Sequence, residues 1–343
     1  MTVRFGRGVR QKQPCHAAGP IVSASFLHSF ASDFRYESIG EPAVIRNIAF
    51  SLTILTFAAC TCVAQQVAKQ AEEPPGKSYV YTTSGGKPRH LEIYFPPGHD
   101  PAKTRVPGLI LFHGGGWSGG TPEQFRAACA YFASRGMVAA TAEYRMLTKD
   151  EAAKLPKGES RKRVCVDDAR SAIRWFESHA GELGVDPAKI VTGGGSAGGH
   201  VSVLATTNAG QAGHQGPDTS VVAYLLFNPA FTADDAADPE IDAIQHARPG
   251  FPPAIVFFGT DDRWKSGWDA LLDKHRSLGN AKIQVMLAEG QPHGFFNREP
   301  WRTLTLIEAD RFLVKLGLLS GEPGKSPPEG EARLVPEKKT VAP

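Results

Sequence analysis

An α/β fold on a mostly parallel, eight-stranded sheet with helices on both faces and little or no cap is what this sequence predicts. Three observations carry it. Short β-type runs alternate with amphipathic helical patterns between about residues 76 and 319. The first two runs follow each other without a helix, so a hairpin leads into the alternating part, the arrangement that gives a sheet covered on both faces. The glycine-rich and polar turns that carry reactive side chains each follow a strand.

The strands are read at Tyr79–Thr82, His90–Tyr94, Gly108–Phe112, Val138–Glu143, Lys189–Thr192, Val221–Phe227, Ala254–Phe258 and Lys282–Leu287. After the third strand, Thr121-Pro122-Glu123-Gln124 reads as a helix start: Thr at the N-cap, Pro at the first helical position and Gln where a capping box wants it. Phe125, Cys129, Phe132 and Ala133 mark the buried face of that helix. A second helix repeats Cys165, Ala169, Ala172, Ile173, Phe176 and Ala180 at helical spacing, and a last one carries Leu306, Ala309, Phe312, Leu313 and Leu316. No internal repeat is visible.

The chain has 343 residues, with 38 Lys and Arg against 35 Asp and Glu, 41% hydrophobic and 21% charged. This composition excludes disorder, collagen and coiled coil. Six basic and three acidic residues fall within 1–64, which leaves 32 of each sign in the remainder. A domain of zero net charge has no electrostatic footprint for nucleic acid or an anionic membrane. The expected partner is a neutral small molecule or polymer.

Both ends read as separate from the domain. Residues 47–68 carry no charge, Ile48 to Ala59 has the length of a signal-peptide apolar region, and Arg46 precedes it. Cys62-Val63-Ala64 fits a cleavage site, so 44–64 is read as a signal peptide and Gln65 as the mature start. Secretion or a periplasmic location follows. Phe57-Ala58-Ala59-Cys60 is similar to a lipobox, which makes a lipid anchor at Cys60 the variant. Residues 1–43 fit neither domain nor signal and are read as a non-native extension, with Val44 as a start. Cys129 and Cys165 then remain as either a disulfide or two buried thiols. The segment 320–343, with five Pro and three Gly, is expected to be a disordered tail.

The reactive groups sit in the turns. The strand Lys189–Thr192 runs into Gly193-Gly194-Gly195-Ser196-Ala197-Gly198-Gly199-His200 and an apolar helix, so Gly194-x-Ser196-x-Gly198 lies between strand and helix. Small neighbours let a serine stand clear in a strained turn, and the helix N-terminus favours developing negative charge. A phosphate loop would sit in the same place but ends in Lys-Ser or Lys-Thr, which is absent. The strand Gly108–Phe112 ends in His113-Gly114-Gly115-Gly116-Trp117. Backbone N–H groups of Gly115 and Gly116, with that of Ala197, suit an oxyanion hole, worth roughly 3–4 kcal/mol per donor.

These two motifs resemble the α/β-hydrolase superfamily, in its hormone-sensitive-lipase-like branch, and especially compact bacterial esterases related to acetylxylan and feruloyl esterases. The resemblance covers about residues 76–318. It implies a serine nucleophile, Ser196, with an acid and a base later in the chain. Gly259-Thr260-Asp261-Asp262-Arg263-Trp264 is similar to the family's acid turn and points to Asp262, with Asp261 the adjacent competitor. Gly290-Gln291-Pro292-His293-Gly294-Phe295 is similar to the His-Gly-Phe turn and makes His293 the base. Gly195 stands where the lipase branch has Asp, which weakens any transfer of lipid substrates. Asp168 and Asp186 resemble structural family positions and are assigned capping roles.

Trp117 and Trp264, each beside a reactive turn, are candidates to line a site for the alcohol half of the ester. His113 and His200 are read as buttresses of the oxyanion loop and elbow, and His214, His246 and His275 as lying on polar segments. No zinc-ligand spacing occurs, so no metal or cofactor is expected. The activity implied is hydrolysis of short-acyl carboxylic esters, small-molecule or oligosaccharide. A general carboxylesterase, a serine peptidase and a non-catalytic binding protein on the same scaffold are the alternatives. The polar stretches Thr232–Glu240 and Leu147–Arg163 are expected to form a solvated rim over which a sugar lies.

Overall fold

The computed structural model describes residues 76–207 and 221–338. The proposed extension, the signal peptide with Cys60, and His214 lie outside the described residues. The sheet is built of β1 (Lys77–Ser84), β2 (Lys87–Tyr94), β3 (Val106–Phe112), β4 (Val138–Ala142), β5 (Val185–Gly195), β6 (Ala223–Phe227), β7 (Ala254–Gly259), β8 (Ile283–Ala288) and β9 (Leu334–Pro336). Their order across the sheet is β1-β2-β4-β3-β5-β6-β7-β8-β9. The antiparallel hairpin β1–β2 leads into five consecutive parallel pairings from β4 to β8.

The five long helices are α1 (Arg126–Ser134), α2 (Arg161–Ser178), α3 (Ala197–Thr207), α4 (Lys265–Ser277) and α5 (Trp301–Lys315). Strand alternation sorts the core into two layers. Ile110, Phe112, Val256 and Phe258 pack on one face with Ile173 and Phe176 of α2, Leu204 of α3 and Leu271 of α4. Leu109, Leu111, Ile255 and Phe257 pack on the other with Phe132 of α1 and Leu313 of α5. Among the described residues no helical cap covers the sheet, and no helix is long and apolar enough to cross a membrane.

Four expectations are corrected, and the open choice for the two cysteines is settled. The ninth strand comes from the segment read as a disordered tail: Leu334–Pro336 pairs antiparallel with Met286–Ala288, and Glu337 pairs with Lys265 at 2.7 Å. The composition argument weighed only side-chain burial, whereas this segment is held by backbone hydrogen bonds along an open sheet edge. Residues 339–343 lie outside the described residues. Cys129 and Cys165 are buried free thiols in the layers on opposite faces of the sheet, so the sheet itself separates them.

The helix start at Thr121 is a 3₁₀ turn, Pro122–Phe125, with no side-chain cap. The Gln124 amide is engaged elsewhere, accepting the N–H of Gly114. Asp168 caps nothing: its buried carboxylate pairs with Arg145 at 2.8 Å and also accepts from Ser84 Oγ and the Arg145 N–H. Asp186 does serve a turn, accepting the N–H of Ala188 at 3.0 Å. His246 and His275, read as lying on polar segments, are both buried.

Candidate active site

Three strand ends converge. At the end of β5 the backbone turns sharply, and Ser196 takes φ +51°, a left-handed conformation costly for a side-chain-bearing residue. The turn exists because its neighbours are glycine: a Cβ on Gly198 would lie 1.9 Å from the Phe112 carbonyl oxygen, and one on Gly194 2.2 Å from it. Backbone bonds then lock the turn. Ser196 N–H donates to the Phe227 carbonyl at 2.9 Å, and the Ser196 carbonyl accepts from His200 N–H at 3.2 Å and Ala230 N–H at 3.0 Å.

His293, in the loop after β8, lies with Nε2 2.8 Å from Ser196 Oγ. Its Nδ1 lies 2.8 Å from Asp262 Oδ2, in the loop after β7. Asp262 is 5% exposed, and its other oxygen accepts the Trp264 N–H at 2.9 Å. Asp261 is exposed, and among the described residues its Oδ1 accepts only a bond of 3.4 Å from Thr260 Oγ1. The structure therefore brings Ser196, His293 and Asp262 together and leaves Asp261 outside.

The glycine run after β3 lies alongside. Gly114 N–H is given to Gln124, but among the described residues the N–H groups of Gly115, Gly116 and Ala197 have no protein acceptor. That of Ala197 is one of the free donors of the α3 N-terminus. A Cβ on Gly115, at φ +128°, would lie 1.8 Å from the Gly119 carbonyl oxygen, so only glycine closes this loop. Tyr144 Oη donates to the His113 carbonyl at 2.5 Å, which anchors the loop from beneath. His113 is buried with Nδ1 2.8 Å from the Gly114 carbonyl, and burial pushes its imidazole down to about 4 despite that contact, so it is neutral at pH 7.

The two tryptophans separate. Trp117 is only 7% exposed and packs against His200, Trp264 and the ammonium of Lys162, 4.3 Å from its ring. Trp264 is half-buried, its ring 5.9 Å from that of His293, and it lines a groove of about 630 Å³ with Phe231, Ile244 and Arg263. The polar stretches Thr232–Glu240 and Leu147–Arg163, expected as a solvated rim, are mostly exposed, and ion pairs join them, Lys162 to Asp235 and Arg163 to Asp238, the latter at 2.8 Å through Nε. Asp235 is buried. Burial raises its carboxyl, but His200 and Lys162 outweigh that and hold it near 2.

Asn228 went unnoticed in the sequence. It follows β6 at φ +40°, fully buried, with Nδ2 3.4 Å from both ring nitrogens of His293. Only the pair Asn228-Pro229 after a predicted strand pointed to a turn there.

Chemically, a hydroxyl beside an imidazole, a carboxylate behind the imidazole and free N–H donors beside the hydroxyl can form and hold a tetrahedral oxyanion. Comparison with known proteins agrees. The BD-FAE family model matches residues 91–224. Carboxylesterase NlhH of Mycobacterium tuberculosis is 32% identical over 145 residues, 42% of this chain and 40% of that protein. Ethyl acetate hydrolase of Pseudomonas putida is 29% identical over 161 residues, 46% of this chain and 47% of that protein. The chain thus spans under half the length of these two curated relatives. The apo structure of Thermogutta terrifontis esterase 2 aligns with a TM-score of 0.64 and 34% identity, covering 74% of this chain and 99% of that one. An esterase matched almost end to end at that identity, on the same kind of sheet, settles the kinship: the chain belongs to the α/β-hydrolase esterases.

Proposed function

We propose that the protein is a serine esterase that hydrolyses carboxylic esters of short acyl groups, acetyl or little longer, through an acyl-enzyme. The observation that carries this is the continuous line Ser196 Oγ–His293–Asp262, 2.8 Å at each step, together with the amides of Gly115, Gly116 and Ala197, which have no protein acceptor among the described residues. In this reading His293 Nε2 takes the proton of Ser196 as the oxygen attacks the ester carbonyl. The three amides bind the oxyanion, and Asp262 holds the imidazole and stabilises its charged form. His293 then gives the proton to the departing alkoxide. Water, deprotonated by the same imidazole, releases the acid.

The proton must reach the alkoxide oxygen, so the alcohol half leaves on the His293 side, where the Trp264 ring lies 5.9 Å from the imidazole. The groove that Trp264 borders supports a bulky alcohol, and the exposed polar stretches Thr232–Glu240 and Leu147–Arg163 support a sugar as that alcohol. Support for a short acyl group comes from the absence of a helical cap among the described residues, and from the structures of the Thermogutta esterase with propionate and butyrate bound. A general short-chain carboxylesterase is the second reading, favoured by the similarity to ethyl acetate hydrolase.

Rates on p-nitrophenyl esters from acetate to decanoate, set beside an acetylated xylo-oligosaccharide, separate these. The proposal predicts a maximum at acetate to butyrate and a higher kcat/KM on the acetylated sugar than on simple alkyl acetates. A steady rise to decanoate contradicts the short-acyl reading, and preference for alkyl acetates selects the general carboxylesterase. Export with cleavage before Gln65, or lipid attachment at Cys60, belongs to the same proposal and rests on the sequence alone. N-terminal sequencing of the expressed protein decides it, and an intact cytoplasmic residue 1 contradicts it.

A further inference from the structure

The oxyanion loop and the base loop are tied together by side-chain amides that lie outside both motifs. Gly114 N–H donates to Gln124 Oε1 at 2.6 Å. Gln124 Nε2 donates to Asn297 Oδ1 at 3.0 Å, and Asn297 Nδ2 donates to the Gly294 carbonyl at 3.0 Å. Gly294 N–H in turn donates to Asn228 Oδ1 at 3.2 Å. The run begins on the oxyanion loop and ends at the histidine.

Its last member meets the imidazole in an unusual way. Asn228 Nδ2 is 3.4 Å from both Nδ1 and Nε2 of His293, yet those nitrogens already face Asp262 and Ser196. A point in the ring plane at that distance from both would collide with a ring carbon. The amide therefore lies over the face of the imidazole, where an N–H meets the π cloud. Such a contact fixes the plane of the ring without competing for either nitrogen.

We propose that Gln124, Asn297 and Asn228 form a positioning relay that keeps the imidazole of His293 and the oxyanion loop in register with each other. The proposal rests on the esterase reading and adds to it. In Gln124 and Asn297 the amide oxygen accepts and the amide nitrogen donates, so the chain has one direction and each residue supplies a link the next one needs. Neither residue bonds Ser196 Oγ, so both act through the loops they hold. Gly195 is part of the same design. A Cβ there would lie 2.6 Å from Phe296 Cζ and 3.2 Å from Gln124 Oε1, so the room a side chain at 195 needs is filled by the relay and its support. This gives a physical reason for glycine at position 195. Attack and oxyanion capture need both loops placed to a fraction of an ångström, which is what a rigid cross-link supplies.

Hydrolysis of p-nitrophenyl acetate by the wild type, and its loss in Ser196→Ala, test the esterase reading first and by themselves. The relay is tested next with Gln124→Ala, Asn297→Ala and their double variant in the full chain. Each single change lowers kcat by about tenfold or more with KM unchanged, as mispositioning of a reactive group does. The double variant loses about as much as the worse single one, because one relay is cut once. Gln124→Glu keeps the volume and the bond to Gly114 but loses the donor to Asn297, so its kcat falls too, and it replaces the alanine variants if these do not fold. Wild-type kcat in Gln124→Glu, or losses that multiply in the double variant, overturn the relay while leaving the esterase reading intact.

Discussion

Asp262 Oδ2 and His293 Nδ1 lie 2.8 Å apart, while the carboxylate of the neighbouring Asp261 is turned to solvent. Two adjacent carboxylates thus have unequal access to one imidazole. Asp262→Asn is expected to lower kcat by on the order of 10³-fold or more, because an amide can present the wrong partner to Nδ1–H and stabilises no imidazolium. Asp261→Asn is expected to stay within about threefold of wild type, since exposed substitutions away from the chemistry change little. Steady-state kinetics of both variants checks this, and equal losses would remove the distinction.

The strand pattern was legible because the apolar runs are short, contiguous and separated by glycine and proline. Even so, β9 was invisible: Leu334, Val335 and Pro336 carry too little apolar character to stand out, and their pairing depends on the distant edge of β8. Ser196 and His293 could be found because a strained elbow and a glycine-flanked turn leave local traces. Gln124 and Asn297 leave none that points to their bond with each other, 173 residues apart, and Asn228-Pro229 marks a turn without showing the imidazole 65 residues on. Gln124 was even misread, as a helix cap, because its spacing from Thr121 matches a capping box while its amide is drawn off by Gly114. Trp117 shows the reverse error: proximity to the oxyanion loop suggested substrate contact, but the left-handed backbone at φ +58° accompanies an inward-packed indole.

Two buried histidines make stability depend on pH. Burial pushes the imidazoles of His113 and His275 down to about 4. In the unfolded chain each titrates near 6.5, so between about 6.5 and 4 the unfolded state takes up protons that the folded state refuses. Their contribution is fully present above 6.5 and falls as the pH drops, by up to roughly 3 kcal/mol for each. Thermal unfolding followed from pH 7.5 to 4.5 should show a falling Tm, and His275→Leu should flatten that slope. An unchanged slope would mean that His275 charges without cost in the folded protein.

Asp168 holds Arg145 and Ser84 from a buried position, so its removal leaves a guanidinium and a backbone N–H without their acceptor. Asp168→Ala is expected to cost on the order of 3 kcal/mol in chemical denaturation. Asp186→Ala, which loses an exposed turn bond and the surface ion pair to Lys189 at 3.4 Å, is expected to cost under about 1 kcal/mol.

Deleting residues 329–343 removes β9 and the Glu337–Lys265 pair and opens the edge of β8. A lower Tm and concentration-dependent association in light scattering are the expected results. A truncated chain as stable and monodisperse as the full one would show that the strand contributes nothing.

Hydrolysis of p-nitrophenyl acetate by Ser196→Ala, measured beside its thermal unfolding, is the most direct test of the whole account. Ser196 Oγ lies on the His293 side of a turn fixed by backbone bonds, so the hydroxyl serves chemistry rather than packing. Turnover below about a thousandth of wild type with Tm unchanged is predicted, in line with loss of a nucleophile whose residual rate comes from binding and the oxyanion donors alone. A variant that keeps more than about a hundredth of the activity, well above what that residue-free background allows, would contradict the assignment of Ser196 as the nucleophile.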